Sequence, residues 1–166
     1  MISLRKATIK ELPIIQSLAK EIWPATFGQI LSKTQLEYML DMMYSLASLK
    51  KQLSELNHVF IIVSEAGKDI GYLSYELNVK NESITKIHKI YLHPSTQGKG
   101  YGKELIAYAK KIAIENKQRA LTLNVNKYNK AYNFYLKQGF VLVKNEDIDI
   151  GQGFLMEDAV LSLSLA

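Results

Sequence analysis

The chain has no cysteine, three prolines, nine glycines and one tryptophan in 166 residues. Without cysteine there are no disulfides, no thiol nucleophile and no thiolate-bound zinc. The prolines and glycines are too few and too scattered to mark a linker. No internal repeat or low-complexity tract is visible, so the reading is one domain over residues 1–166. Apolar runs are short: Val59-Phe60-Ile61-Ile62-Val63 is typical, against the roughly 20 residues that span a bilayer. No membrane partner is expected. The opening Met1-Ile2-Ser3-Leu4-Arg5-Lys6 lacks the sustained apolar core of a secretory signal, and the expected location is cytoplasmic.

What the chain does contain is 48% hydrophobic and 22% charged residues with a net charge of +5, the balance of a globular domain with a proper core. The charge is unevenly placed. Residues 86–144 hold twelve Lys/Arg against only Glu104 and Glu115, residues 1–85 balance nine against nine, and residues 145–166 hold five acids and no base. A basic block of this kind fits an anionic ligand, either nucleic acid or a phosphorylated small molecule. It also fits a solvated lysine-rich helix face. Nucleic-acid binding would call for an open basic face interleaved with aromatics. Here the lysines gather around a glycine loop instead, and no nucleic-acid partner is expected.

Periodicity predicts a strand over 2–9, then a helix entered through Thr8 and Pro13 with Leu12, Ile15, Leu18, Ala19 and Ile22 on one stripe. Pro24 disfavours a helical residue before it, so that helix is expected to end near Trp23-Pro24. Helices follow from about Ser32 and over Ser45–Leu56. Period-two runs at His58–Glu65, Ile70–Val79 and Ile84–Leu92 predict an antiparallel meander with turns at Gly67-Lys68-Asp69 and Lys80–Ser83. A helix to about Asn116, a strand at Ala120–Val125, a short helix at Asn129–Gln138 and strands at Gly139–Lys144 and Phe154–Leu163 complete the chain. The strands ending at Leu92 and starting at Ala120 are joined through a helix and are expected to be parallel. The fold class is α+β, a mixed and mostly antiparallel sheet of about seven strands flanked by helices.

Gln97-Gly98-Lys99-Gly100-Tyr101-Gly102 lies between a strand and a helix. Glycines there let backbone N–H groups approach an anion, and the helix start adds unsatisfied donors. Lys99 and Lys103 oppose the helix dipole unless an anion lies between them. The spacing is neither a P-loop nor a dinucleotide fingerprint. It resembles the Q/R-x-x-G-x-G/A acyl-CoA signature of the GCN5-related N-acetyltransferase (GNAT) superfamily. Asn129, Ala131, Tyr135, Gly139 and Phe140 are similar to that family's N-x-x-A-x-x-x-Y-x-x-x-G-F block.

The resemblance implies a GNAT-like acyl-CoA N-acyltransferase fold and acetyl-CoA as cofactor. Gln97, Gly98, Lys99, Gly100, Tyr101, Gly102 and Lys103 would hold the pyrophosphate. The backbone of Ile90, Tyr91 and Leu92 would line the pantetheine, where the two parallel strands splay to admit it, with Asn129 on the cofactor arm. Lys99, Lys103, Lys130 and Lys137 are candidates to neutralise the phosphates. Tyr135 would protonate the departing thiolate. The family's usual glutamate base is absent from its strand, where Lys86 and His88 stand; His88 is the candidate base and Glu76 the reserve. Segments 21–28 and 38–44 are similar to those of bacterial spermidine/spermine acetyltransferases. Glu21, Trp23, Phe27, Glu37, Tyr38 and Asp41 are therefore candidates to bind a small-molecule amine, a polyamine in particular, with no metal required. Acetylation of a protein or peptide amine, and a non-catalytic acyl-CoA-binding regulatory module, stay open, as does a homodimer.

Overall fold

The computed structural model describes residues 1–165. Its elements are β1 (Ile2–Lys6), α1 (Leu12–Phe27), α2 (Lys33–Tyr44), α3 (Leu46–Ser54), β2 (Val59–Glu65), β3 (Lys68–Glu76), β4 (Ile84–Leu92), α4 (Tyr101–Glu115), β5 (Ala120–Asn126), α5 (Ala131–Lys137), β6 (Val141–Gly151) and β7 (Phe154–Ser164). The strands form one seven-stranded sheet in the order β1-β2-β3-β4-β5-β7-β6. The β4–β5 pairing is parallel, Ile84–Ile87 against Ala120–Leu123, whereas β1–β2, β2–β3, β5–β7 and β6–β7 are antiparallel. The mixed, mostly antiparallel sheet expected from the sequence is present. No helix among the described residues is long and apolar enough to cross a membrane. By compactness the chain divides into two units, Met1–Glu76 with His88–Ile106, and Leu77–Ile87 with Ala107 onward.

In the first unit, α1 to α3 bury Ile15, Ile22, Trp23, Tyr44 and Leu49 together with Phe60, Ile62, Tyr72 and Leu73 of the sheet. Aromatic polar groups inside this core are matched to one another. Trp23 Nε1 donates to the Tyr72 hydroxyl at 3.2 Å, and that hydroxyl donates to Tyr44 Oη at 2.8 Å. Buried N–H and O–H groups without such partners would be costly. A second cluster joins Val63, Ile70, Tyr101 and Leu105 with Ile2, Leu4, Ile90 and Leu92.

The second unit is organised by Gln118, buried at the entry to β5. Its Oε1 accepts from the Asn78 N–H at 3.0 Å and the Thr85 hydroxyl at 3.1 Å, and its Nε2 donates to Asn78 Oδ1 at 2.8 Å. Leu121, Leu123, Tyr135, Phe140, Ala159 and Leu161 are among the buried apolar residues of this unit.

Three local expectations are corrected. Helix α1 does not end at Trp23-Pro24 but runs through to Phe27 with Pro24 inside it. Proline forfeits one backbone bond, and the burial of Trp23 at 1% and Phe27 at 4% exposure holds the last turn helical. The first hairpin turns at Ala66 (φ 50°) and Gly67 (φ 80°), with Glu65 already paired to Lys68. Lys68 and Asp69 therefore belong to β3, which ends at Glu76 rather than Val79. Strand β6 runs on to Gly151, well past Lys144. As the edge strand it carries Glu146, Asp147 and Asp149, charges that blunt an open edge and disguise the strand as loop.

Candidate functional site

The segment leaving β4 is set by short-range bonds. The His93 N–H donates to Ile70 O at 2.7 Å, and His93 Nδ1 accepts the Ser95 N–H at 3.2 Å, starting a 3₁₀ turn over Pro94–Thr96. Gly98 (φ 82°) and Gly100 (φ 79°) then take the left-handed conformation. A Cβ at either position would meet nothing within 4 Å. Conformation rather than crowding is what calls for glycine there. Gln97, Gly98, Lys99, Gly100 and Lys103 are exposed at the start of α4, with Gly102 half-buried and Tyr101 buried. An exposed run of amides opening a fifteen-residue helix suits a phosphate group.

The loop is tied to β2 by Glu65. Lys99 Nζ lies 3.1 Å from Glu65 Oε2, and the Tyr101 hydroxyl donates to the same oxygen. These bonds, that from Tyr101 foremost, hold the Glu65 carboxyl below its ordinary range, and Glu65 raises the Tyr101 phenol. Lys99 is thus charge-compensated by a carboxylate that the sequence does not mark as part of the loop.

Ile90 and Leu92 pack their side chains against the Val63 and Leu105 cluster. The Tyr91 ring meets Trp23 at 5.7 Å, Tyr72 at 5.6 Å and Phe27 at 6.1 Å. Gly71 lies against this strand so closely that a Cβ would sit 2.4 Å from Tyr91 O.

Glu76 and His88, which the sequence offers as alternative bases, are one hydrogen-bonded pair, with His88 Nε2 2.9 Å from Glu76 Oε1. A carboxylate only accepts, so the nitrogen facing it carries a proton, and in the neutral ring the lone pair then lies on Nδ1. Glu76 thereby assigns the tautomer that a proton acceptor needs. His58 joins them: its ring stacks on His88 with centroids 3.8 Å apart and planes at 13°. Its Nε2 is 3.8 Å from the same Glu76 oxygen. Ligand atoms of the three residues lie within 4.8 Å of one another, a spacing that invites a metal reading. The hydrogen bond between His88 Nε2 and Glu76 Oε1 satisfies two of those groups without one.

Lys89, next to His88, is buried with 4% exposure. Its Nζ donates to Gln52 Oε1 and lies 5.5 Å from the centroids of Tyr44 and Phe60. Burial brings its ammonium down to about 7. Strand parity is the signal for it, since Ile87 and Lys89 share a buried face of β4. His58 has no comparable sequence signal because its role depends on which strand lies opposite.

The acceptor candidates separate by burial. Glu21, Glu37 and Asp41 are exposed and Tyr38 is half-buried, with Glu37 and Asp41 one turn apart on α2. Trp23 and Phe27 are core residues, their rings tilted against each other with centroids 4.7 Å apart. Their rings pack protein rather than offering a surface to an amine.

In the second unit, Asn129 Oδ1 accepts the Ala131 N–H at 2.9 Å at the start of α5. Tyr135 is 5% exposed, with ring centroids 5.4 Å from Phe134 and 5.9 Å from Phe140. Lys130 and Lys137 are exposed. Asp158, buried on β7, accepts from Asn124 Nδ2 at 3.2 Å, and burial pushes its carboxyl up.

Comparison with known proteins gives concordant matches. The acetyltransferase (GNAT) domain family matches residues 28–155. A spermidine N(1)-acetyltransferase of Thermoplasma acidophilum is 29% identical over 161 residues, covering 94% of this chain and 96% of that protein. The crystal structure of PaiA N-acetyltransferase from Thermoplasma acidophilum, in complex with coenzyme A, superposes with a TM-score of 0.80 at 25% identity, covering 99% of both chains. A GCN5-related N-acetyltransferase from Rhodopseudomonas palustris shares the fold, with a TM-score of 0.83 at 20% identity over 98% of this chain and 95% of that one.

Proposed function

The chain belongs to the GNAT acetyltransferase family, and from that premise we propose that it transfers the acetyl group of acetyl-CoA to a primary amine of a small molecule, with polyamines as the acceptor class. The observation that carries the acceptor is the near full-length likeness to a spermidine N(1)-acetyltransferase. The exposed pair Glu37 and Asp41, with Glu21, supplies carboxylates of the kind a polycation needs.

Acetyl-CoA, when bound, supplies the activated thioester. The amides of Gln97 to Gly102 and the Lys103 side chain take the pyrophosphate, helped by the left-handed glycines and the α4 start. The backbone of Ile90, Tyr91 and Leu92 lines the pantetheine, and Asn129, Lys130 and Lys137 meet the cofactor arm. Lys99 contributes only so far as it is released from Glu65. An alkylamine titrates near 10.4, so the acceptor must lose a proton before it can attack. His88 Nδ1 accepts that proton, and Glu76 stabilises the imidazolium. Backbone N–H near Leu92 meets the developing oxyanion. As the C–N bond forms and the C–S bond breaks, Tyr135 hands its proton to the leaving sulfur, the bonded nitrogen sheds its second proton to solvent, and Tyr135 is reprotonated from solvent. Acetyl-CoA as donor carries a cytoplasmic setting with it, and a homodimer is expected from the family resemblance.

The test is acetyl-CoA consumption against polyamines, amino acids, aminoglycosides and peptides. Turnover highest with spermidine or spermine is expected. Turnover confined to peptides would move the reading to protein acetylation, and tight CoA binding without turnover on any amine would leave a regulatory module.

A further inference from the structure

His58 lies outside both signatures, yet three features fix it against the His88–Glu76 pair. Asn57 turns the chain with φ 61°, and the His58 N–H donates to Gln52 O at 2.9 Å. The β2–β3 register pairs Val59 with Tyr75, so the next step along brings His58 opposite Glu76. The result is the stacked pair of imidazoles, both with Nε2 turned to one oxygen, Glu76 Oε1, at 2.9 Å and 3.8 Å.

We propose that His58 is a positioning residue for the acetyl transfer: its ring holds His88 in the orientation that keeps Nδ1 as proton acceptor and restricts the two stacked imidazoles, neutral with one N–H each, to a single added proton. The proposal rests on the reading of His88 as the base. Its physical content is twofold. A ring lying face to face at 3.8 Å blocks rotation of the His88 imidazole out of its bond to Glu76. A second proton would place two cations face to face over a single carboxylate, with side chains only 9% and 19% exposed to solvent. Charged groups near the stack include Glu76 from β3 and, across the Phe60 ring, Lys89 from β4. Lys89 adds positive charge as pH falls, which opposes a second proton further. The protons therefore leave in two coupled steps that belong to the pair rather than to either histidine. In the forward reaction the proton lost by the acceptor ammonium goes to His88 Nδ1 and from there to solvent, and His58 stays neutral throughout.

The test uses the full chain and two readouts. NMR titration of the imidazole signals is expected to show two steps, about one pH unit or more apart and sensed by both histidines. In His58→Phe, which keeps an aromatic face but cannot take up a proton, the His88 signal is expected to titrate in one step. His58→Ala, which frees the ring, is expected to lower kcat about tenfold with little change in KM. Independent one-step titrations in the unaltered protein, or equal kcat and pH profiles in wild type and His58→Ala, overturn the proposal. Should His58→Ala fail to fold, His58→Phe and the wild-type titration still decide. His88→Gln separates the two readings: an unchanged acid limb removes His88 as base, whereas the coupled titration reports on the stack alone.

Discussion

Lys89 donates its buried ammonium to the side-chain oxygen of Gln52, a neutral acceptor, and lies near the rings of Tyr44 and Phe60 rather than a carboxylate. Among the described residues no carboxylate is paired with it, and burial brings its ammonium down to about 7.

The sign of the resulting pH dependence is fixed. Below about pH 7 both folded and unfolded chains hold the proton, and the full cost of burial is present. Between about 7 and the ordinary lysine value of 10.5 only the unfolded chain holds it, so stability rises with pH through this window. Lys89→Met is expected to gain roughly 2 kcal/mol at pH 6, after the loss of the bond to Gln52. The gain should shrink toward pH 10. Urea unfolding at pH 6, 8 and 10 reads this directly, and parallel pH curves for the two proteins would refute it.

Gly71 admits no side chain, because a Cβ would lie 2.4 Å from Tyr91 O and 2.8 Å from Leu92 Cδ2. Gly71→Ala forces β3 and β4 apart and should destabilise by about 3 kcal/mol. Since the displaced carbonyl belongs to the strand proposed for pantetheine, CoA affinity should fall as well. Chemical denaturation with CoA titration checks both, and a wild-type midpoint would show that the strand yields freely.

Glu65 holds Lys99 and Tyr101 at the proposed phosphate loop. Glu65→Gln removes an anion there and releases the lysine. We expect CoA to bind about threefold tighter at low salt, with the advantage fading as ionic strength rises. Weaker binding at low salt would mean that Glu65 matters mainly as an anchor for the loop.

Tyr135 is 5% exposed between two phenylalanines, so Tyr135→Phe should fold normally. Loss of a general acid predicts a fall in kcat of about 10²- to 10³-fold with unaltered CoA binding. Isothermal titration and steady-state kinetics separate the two, and a wild-type kcat would reduce Tyr135 to packing.

Legibility followed the range of the interactions. Strand β4 and helix α4 were readable because alternation in Ile84–Leu92 and the stripe Leu105, Ala109 and Ala113 are local patterns. Ser32 and Ser45 were readable as helix starts, and the side chain of each accepts a backbone N–H three residues on. The continuation of α1 through Pro24 was not, because a local penalty was outweighed by burial of Trp23 and Phe27 against residues far away in sequence.

The amino-acid order by itself determined the mixed sheet's succession of elements, the glycine-rich segment of the proposed phosphate loop and the two motifs that point to the family. Each depends on backbone preferences and spacings within a dozen or so residues. Only the tertiary structure decided that Glu76 and His88 are one pair rather than rivals, that His58 stacks on them, that Glu65 compensates Lys99 and that Lys89 is buried beside Gln52. Those relationships join residues 12 to 37 positions apart. They arise because strand register and helix packing, which no local pattern specifies, bring these groups within reach of one another.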